Sequence, residues 1–166
     1  MSRVLYIVAS AAAPVERISE VIAPARRRDW DPCLILTPTA ARWLADDLDD
    51  LGALTGHPVR SAYKLPGEPD VLPPPEAVLV APATFNTINK WAAGISDTLA
   101  LGLINEALGM SVPVVAVPLI SGPLAAHPAL AASLATLRQA GVTVLDISAR
   151  PDPMALPWDL ILDALA

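Results

Sequence analysis

The 166-residue chain contains one cysteine, two histidines and one phenylalanine, and its acidic residues outnumber its basic ones by 17 to 11. A lone thiol, Cys33, excludes an intrachain disulfide and a multi-cysteine metal site. It stands in the apolar run Cys33-Leu34-Ile35-Leu36, the setting of a buried and inert thiol. The net charge of −6 leaves no basic stripe for a phosphodiester backbone, so nucleic acid is excluded as a partner. The one basic cluster, Arg26-Arg27-Arg28, suits the solvated end of a helix. Long apolar runs are missing too, because Pro, Asp or Lys interrupts each one before it reaches bilayer length; no membrane span is expected. Neither GxGxxG nor a Walker A sequence occurs, which sets NAD and ATP aside as first candidates.

What the chain does have is apolar bulk: 54% hydrophobic residues and a mean hydropathy of +0.49. Without a membrane span, that excess implies strands buried on both faces and buried subunit contacts. The length suits a single domain over residues 1–166. The opening MSRVLYIVASAAAP carries an Ala-x-Ala pattern, but its charged region is one Arg and cleavage would remove the leading candidate for a central strand. It is assigned to the fold, and a cytoplasmic location is expected.

Val4-Leu5-Tyr6-Ile7-Val8 is an apolar, partly β-branched run that predicts a buried strand, with a tight turn at Ala9–Ala12. Pro14 predicts a helix start, with Val15, Ile18, Val21 and Ile22 at helical spacing. Residues 33–36 predict a second strand, and Thr39 an N-cap for a helix carrying Ala40, Trp43 and Leu44. Five prolines between Leu65 and Pro75 predict a loop. Strands follow at 77–81, 112–117 and 142–147, with helices around 87–93, 97–108, 127–140 and, short and amphipathic, 158–166. This alternation predicts an α/β fold, a Rossmann-like parallel sheet with helices on both faces. Ligands of such sheets sit at the carboxyl ends of the strands, here the turns 9–12, 37–39, 82–87 and 118–124.

Three of those turns have chemistry suited to a ligand. Ser10, Thr37 and Thr39 offer hydroxyls beside helix N-termini, a setting for phosphate, while small Ala9 and Ala11 permit close approach to the backbone. Each hydroxyl also suits an ordinary helix cap. Pro82-Ala83-Thr84-Phe85-Asn86-Thr87 places Thr, Asn and Thr directly past a buried strand, donors and acceptors such as a flat heterocycle with carbonyls and ring nitrogens requires. A cap explains one of these three, not the set.

Pro82–Thr87, followed by Lys90 and by Gly94-Ile95-Ser96-Asp97-Thr98-Leu99, resembles the PASANT…GxxDxL signature of the homo-oligomeric flavin-containing cysteine decarboxylases, among them phosphopantothenoylcysteine and lantibiotic decarboxylases. The resemblance takes in Leu54-Thr55-Gly56-His57-Pro58-Val59 and the stretch from Val112 through Val144. It implies noncovalent FMN, with phosphate near Ser10 and Thr39 and isoalloxazine near Thr84, Asn86 and Thr87; Thr37, Ala83 and Phe85 complete the candidate cofactor-binding set. It also implies trimers or trimer-based assemblies with flavin at a subunit interface, a small-molecule or peptide substrate, and no metal. Asp97 would fix a helix start or support a subunit contact.

The family's catalytic parts are altered. Its His falls near Glu68 here, and no His occurs from Ser61 through Pro82. Its PxMNxxMW motif reads Pro118-Leu119-Ile120-Ser121-Gly122-Pro123-Leu124-Ala125, with Ser121 in place of the Asn that holds a substrate carboxylate. Its Gly-rich lid is replaced by a short run through Arg150-Pro151-Asp152-Pro153. His57 and His127 suit structural or capping roles, and no catalytic residue is assigned. The expected protein is an FMN-binding flavoprotein, a divergent flavin-dependent oxidoreductase. The alternatives are a peptidyl-cysteine or phosphopantothenoylcysteine-type decarboxylase and a non-catalytic flavin-binding regulatory subunit.

Overall fold

The computed structural model describes residues 1–166. Five strands, β1 (Arg3–Ala9), β2 (Trp30–Leu36), β3 (Ala77–Ala83), β4 (Val114–Pro118) and β5 (Thr143–Val144), form one sheet in the order β2-β1-β3-β4-β5. All neighbouring pairs are parallel. The central strands are hydrophobic throughout because both faces are covered. Alternation along β1 decides which residue serves which side. Leu5, Ile7 and Ala9 enter one core, and Tyr6 and Val8 the other.

The first core is closed by α1 (Ile22–Arg26), α2 (Pro38–Trp43), α3 (Leu48–Thr55) and α8 (Trp158–Asp163), with Ile22, Ala40, Leu51 and Ile161 pointing inward. The second is closed by α4 (Phe85–Ala92), α5 (Leu99–Met110) and α7 (Pro128–Gln139), through Ile88, Trp91, Ile104 and Leu137. The four-residue α6 (Gly122–Ala125) buries nothing. Trp91 completes its burial by donating its indole N–H to the Ile104 carbonyl at 3.0 Å, which ties α4 to α5.

Several sequence expectations need correction. The helix starting at Pro14 is a 3-10 stretch, Ala13–Val21, with a kink at Arg17 (φ −109°, ψ 22°) before α1. Residues 48–55 form α3, which no sequence signal had suggested; Gly56 ends it at φ 78°, a left-handed conformation natural to glycine. The strand expected over 142–147 shrinks to the two residues Thr143–Val144, the only ones that pair with β4. The Thr39 cap belongs instead to Thr37, whose hydroxyl accepts the Ala40 N–H; Pro38 takes the first helical position, where its missing N–H is harmless. Of the three apolar residues named for that helix, Ala40 and Leu44 are buried and Trp43 is 52% exposed.

Other expectations hold. Cys33 is buried, and burial pushes its thiol up to about 12, reinforced by the Asp31 charge. No helix is long and apolar enough to cross a membrane. Residues 61–76 contain neither helix nor strand. Of the three basic residues at the end of α1, Arg28 reaches Asp159 and Asp163 of α8 at 2.9 and 2.8 Å.

Candidate functional site

The strand order reverses direction between β1 and β3, and at such a switch point two loops part to leave a crevice beyond the carboxyl ends. Main-chain bonds align the four predicted turns along that rim. Thr37 N–H donates to the Ala9 carbonyl (3.0 Å), Ser10 N–H to Pro82 (2.9 Å), and Leu119 N–H to Ala83 (2.9 Å). The turns after β2, β1, β3 and β4 are thereby joined in that order. The Ala81–Pro82 peptide is cis.

At the reversal itself the Ser10 and Thr87 hydroxyls are 2.9 Å apart and buried. Thr84 caps α4 by accepting the Thr87 N–H at 3.3 Å, and its hydroxyl also bonds the Thr87 hydroxyl at 3.2 Å. Ser10 therefore belongs with the Thr84–Thr87 turn rather than with Thr37 and Thr39, the partners the sequence suggested. Asn86 is exposed, and Phe85 and Thr84 are half-buried. The N–H groups of Phe85 and Asn86 lie in the first turn of α4, where no carbonyl of the helix can reach them. Hydroxyl, amide and free N–H groups thus lie together at the start of α4, beside the buried strand ends Ala9 and Ala83.

The turn after β2 gathers a second set. Thr39 accepts a hydrogen bond from the Arg42 guanidinium at 3.1 Å, one helical turn on. Arg42 brings positive charge beside that hydroxyl, a residue sequence reasoning missed because its proximity follows from the helix starting at Pro38.

Residues outside the rim find other work. Glu68 accepts the Leu65 N–H at 2.8 Å and so closes a turn of its own loop. Asp97, expected to fix a helix start, pairs with Lys90 at 2.6 Å, while Thr98 caps α5. His57 Nε2 lies 2.9 Å from the Asp31 carboxylate at the start of β2. Ser121 opens α6 but makes no capping bond with its hydroxyl. His127 caps α7 through Nδ1, which accepts the Ala129 N–H at 3.0 Å. The segment after β5 is held down, with Arg150 donating to the Ile147 and Pro153 carbonyls and Asp152 reaching Arg17 at 3.2 Å. A groove of about 540 Å³ runs between the Pro-rich loop and α5, lined in part by Tyr6, Tyr63, Leu72, Leu103 and Met110. None of its lining residues comes from the four rim turns. The chain has no cluster of His, Cys, Asp or Glu able to hold a metal ion.

A doubly wound parallel sheet with hydroxyl and amide side chains at its switch point defines the class: a Rossmann-like α/β fold. The chain belongs to the Flavoprotein family, whose model matches residues 60–164. A cysteine/cysteine sulfinic acid decarboxylase from an unidentified prokaryote is 38% identical over 68 residues, 41% of this chain and 18% of that relative. The chain therefore spans under a fifth of the length of the curated relative it matches. Among solved structures, the FMN-dependent cysteine decarboxylase TvaF from thioviridamide biosynthesis superposes with a TM-score of 0.79 at 20% identity, covering 99% of both chains. The cypemycin decarboxylase CypD superposes with a TM-score of 0.77 at 21% identity, covering 99% of this chain and 92% of its own. At these identities the likeness is one of fold.

Proposed function

We propose that this chain binds FMN noncovalently in the crevice between β1 and β3 and uses it for flavin-dependent redox chemistry on a small or peptidyl substrate. The buried Ser10–Thr87 hydroxyl pair carries this reading. It fixes the first turn of α4 against the end of β1, so Asn86 and the free N–H groups of Phe85 and Asn86 keep a set orientation. A flavin edge alternates carbonyl acceptors with a ring N–H, and an amide beside free backbone donors meets both demands. Thr37, Thr39 and Arg42 would take the phosphate, the hydroxyls and guanidinium supplying donors and charge. Ala9, Ala11 and Ala83 leave room for the ring system. The residues present therefore fit the group.

Bound flavin supplies a two-electron acceptor; the protein's share is binding, orientation and exclusion of water. Ser121 offers one hydroxyl where a carboxylate clamp of the related decarboxylases has an amide, and Glu68 is engaged in its own loop. These features favour a reaction other than standard cysteine decarboxylation. The resemblance to FMN-dependent cysteine decarboxylases supports the second reading, decarboxylation of a peptidyl or small cysteine substrate. A trimer, or an assembly of trimers, in the cytoplasm belongs to the same proposal and accords with the high apolar content.

An absorption spectrum of purified protein tests the central claim. Bands at about 370 and 450 nm that survive dialysis, with FMN released on denaturation, are expected of a protein that orients a flavin. A colourless protein that fails to take up added FMN overturns it. Release of carbon dioxide from a peptide ending in Cys would select the decarboxylase reading.

A further inference from the structure

The Phe85 and His127 rings meet edge to face, their centroids 5.5 Å apart and their planes at 74°. Phe85 is the first residue of α4 and His127 the N-cap of α7, so the contact brings the start of a second helix to the proposed flavin segment. A second contact four to six residues further along, Ser133 Oγ to Asn89 Oδ1 at 2.7 Å, shows that the two helices run side by side in the same direction.

The imidazole has one nitrogen committed. Nδ1 accepts the Ala129 N–H, so it is unprotonated and the proton of the neutral ring sits on Nε2. His127 is exposed, and Asn86, next to Phe85 in the chain, is exposed as well. The cap therefore does two things: it satisfies an N–H of α7, and it fixes the ring with a single donor beside the Phe85 ring.

We infer that His127 is a ligand-contacting residue of this site, donating its Nε2–H to an anionic oxygen held against Phe85 and Asn86. The inference rests on the FMN reading for the identity of the site. The acceptor is either a substrate carboxylate or the carbonyl edge of the flavin, on which negative charge gathers when the ring is reduced. The carboxylate oxygen is anionic and the flavin oxygen becomes so on reduction, and both gain from a donor whose direction is already set. A capping role alone explains Nδ1; the contact with Phe85 and Nε2, which bonds no other group of the chain, remain outside it.

Nuclear magnetic resonance of the imidazole nitrogens separates these possibilities, since the chain has two histidines and His57 is paired with Asp31. The expected spectrum shows His127 protonated on Nε2. Its signals should move when the flavin-free protein is titrated with propionate, when it is loaded with FMN, or in both cases, while His57 stays still. Movement with propionate alone assigns the carboxylate; movement with FMN alone assigns the flavin edge. His127→Asn provides the control. Its amide oxygen retains the cap, which Asn serves well, but nothing replaces Nε2. That variant should melt where wild type does and bind the moving probe about tenfold more weakly, the loss of one hydrogen bond.

Immobile His127 signals in both titrations, or equal affinity in His127→Asn, overturn the inference. The two readings fail separately. FMN bound with His127 unmoved leaves the flavin reading standing and removes this one. Propionate shifting His127 in a protein that takes no FMN does the reverse.

Discussion

The hydroxyls of Ser10 and Thr87 lie 2.9 Å apart, buried, at the point where the strand order reverses. Ser10 is 1% and Thr87 3% exposed, so neither can exchange its partner for water. A polar pair at this depth is stable only when both members are present, because deleting one leaves the other buried with fewer partners. Ser10→Ala should lower stability by about 1–2 kcal/mol and Thr87→Val by a similar amount, the latter also stranding the Thr84 hydroxyl that bonds it. Urea unfolding of the single and double variants would show a coupling of about 1 kcal/mol between the sites. Additive effects would mean that the two hydroxyls stabilise the chain independently.

Asn86 makes the opposite prediction. Its side chain is exposed at the start of α4, where Thr84 already supplies the cap. Asn86→Ala should leave the melting temperature within the scatter of a surface substitution, about 0.5 kcal/mol. Flavin occupancy should fall by the equivalent of about 1–3 kcal/mol, the worth of a hydrogen bond made in a desolvated site. Occupancy measured from the ratio of flavin to protein absorbance decides the matter. Ser10→Ala alters both stability and occupancy; Asn86→Ala alters occupancy alone.

The parts of this structure that were legible in the sequence are those set by neighbours along the chain. The strands announce themselves as apolar runs because both faces of a parallel sheet are covered, and the polar set at Thr84–Thr87 stands out against them. At Thr37-Pro38-Thr39 the cap lies two residues before the expected Thr39, because the proline favours its own position as the first of the helix. That shift hid Arg42, whose approach to Thr39 depends on where the turn begins. The meeting of Phe85 with His127 spans two strand-helix units and leaves no local signature. The same holds for Ser10 and Thr87: their types were visible, their partnership was not.

Alkaline conditions should weaken the fold through two buried acids on the same face of the sheet. Burial raises the Tyr6 hydroxyl from 10.0 to about 12, reinforced by the charges of Cys33, Asp70 and Glu106. Burial likewise raises the Cys33 thiol from 9.0 to about 12. In each case the unfolded chain gives up its proton first, so between pH 9 and about 12 the native state binds more protons and stability falls as pH rises. Below pH 9 both contributions are fully present. Equilibrium unfolding followed from pH 8 to 11 should show this decline, and Cys33→Ala should flatten its lower part. Tyr6→Phe should flatten the upper part while losing the 2.8 Å bond to the Pro73 carbonyl. A native thiol that reacts with iodoacetamide at pH 8 as fast as the unfolded chain would refute the premise for Cys33.

Gly102 lies on α5 beneath Tyr63, and a Cβ built there would collide with the Tyr63 hydroxyl. That hydroxyl donates to the Ser96 carbonyl at 2.9 Å, which straps the Pro-rich loop across the helix. Tyr63 is 54% exposed, so the strap buries little apolar surface and its value lies in holding the loop. Gly102→Ala should displace the tyrosine and break the Ser96 bond while adding helix propensity of about 1 kcal/mol. The two effects act on different parts: the propensity gain should raise the melting temperature by a few degrees, whereas cleavage within residues 61–75 by a limiting protease should accelerate several-fold. Tyr63→Phe should reproduce the faster cleavage without the gain in helix propensity. If Gly102→Ala leaves the cleavage rate unchanged, the loop is held by its prolines and by the Lys64–Asp70 pair rather than by the tyrosine strap.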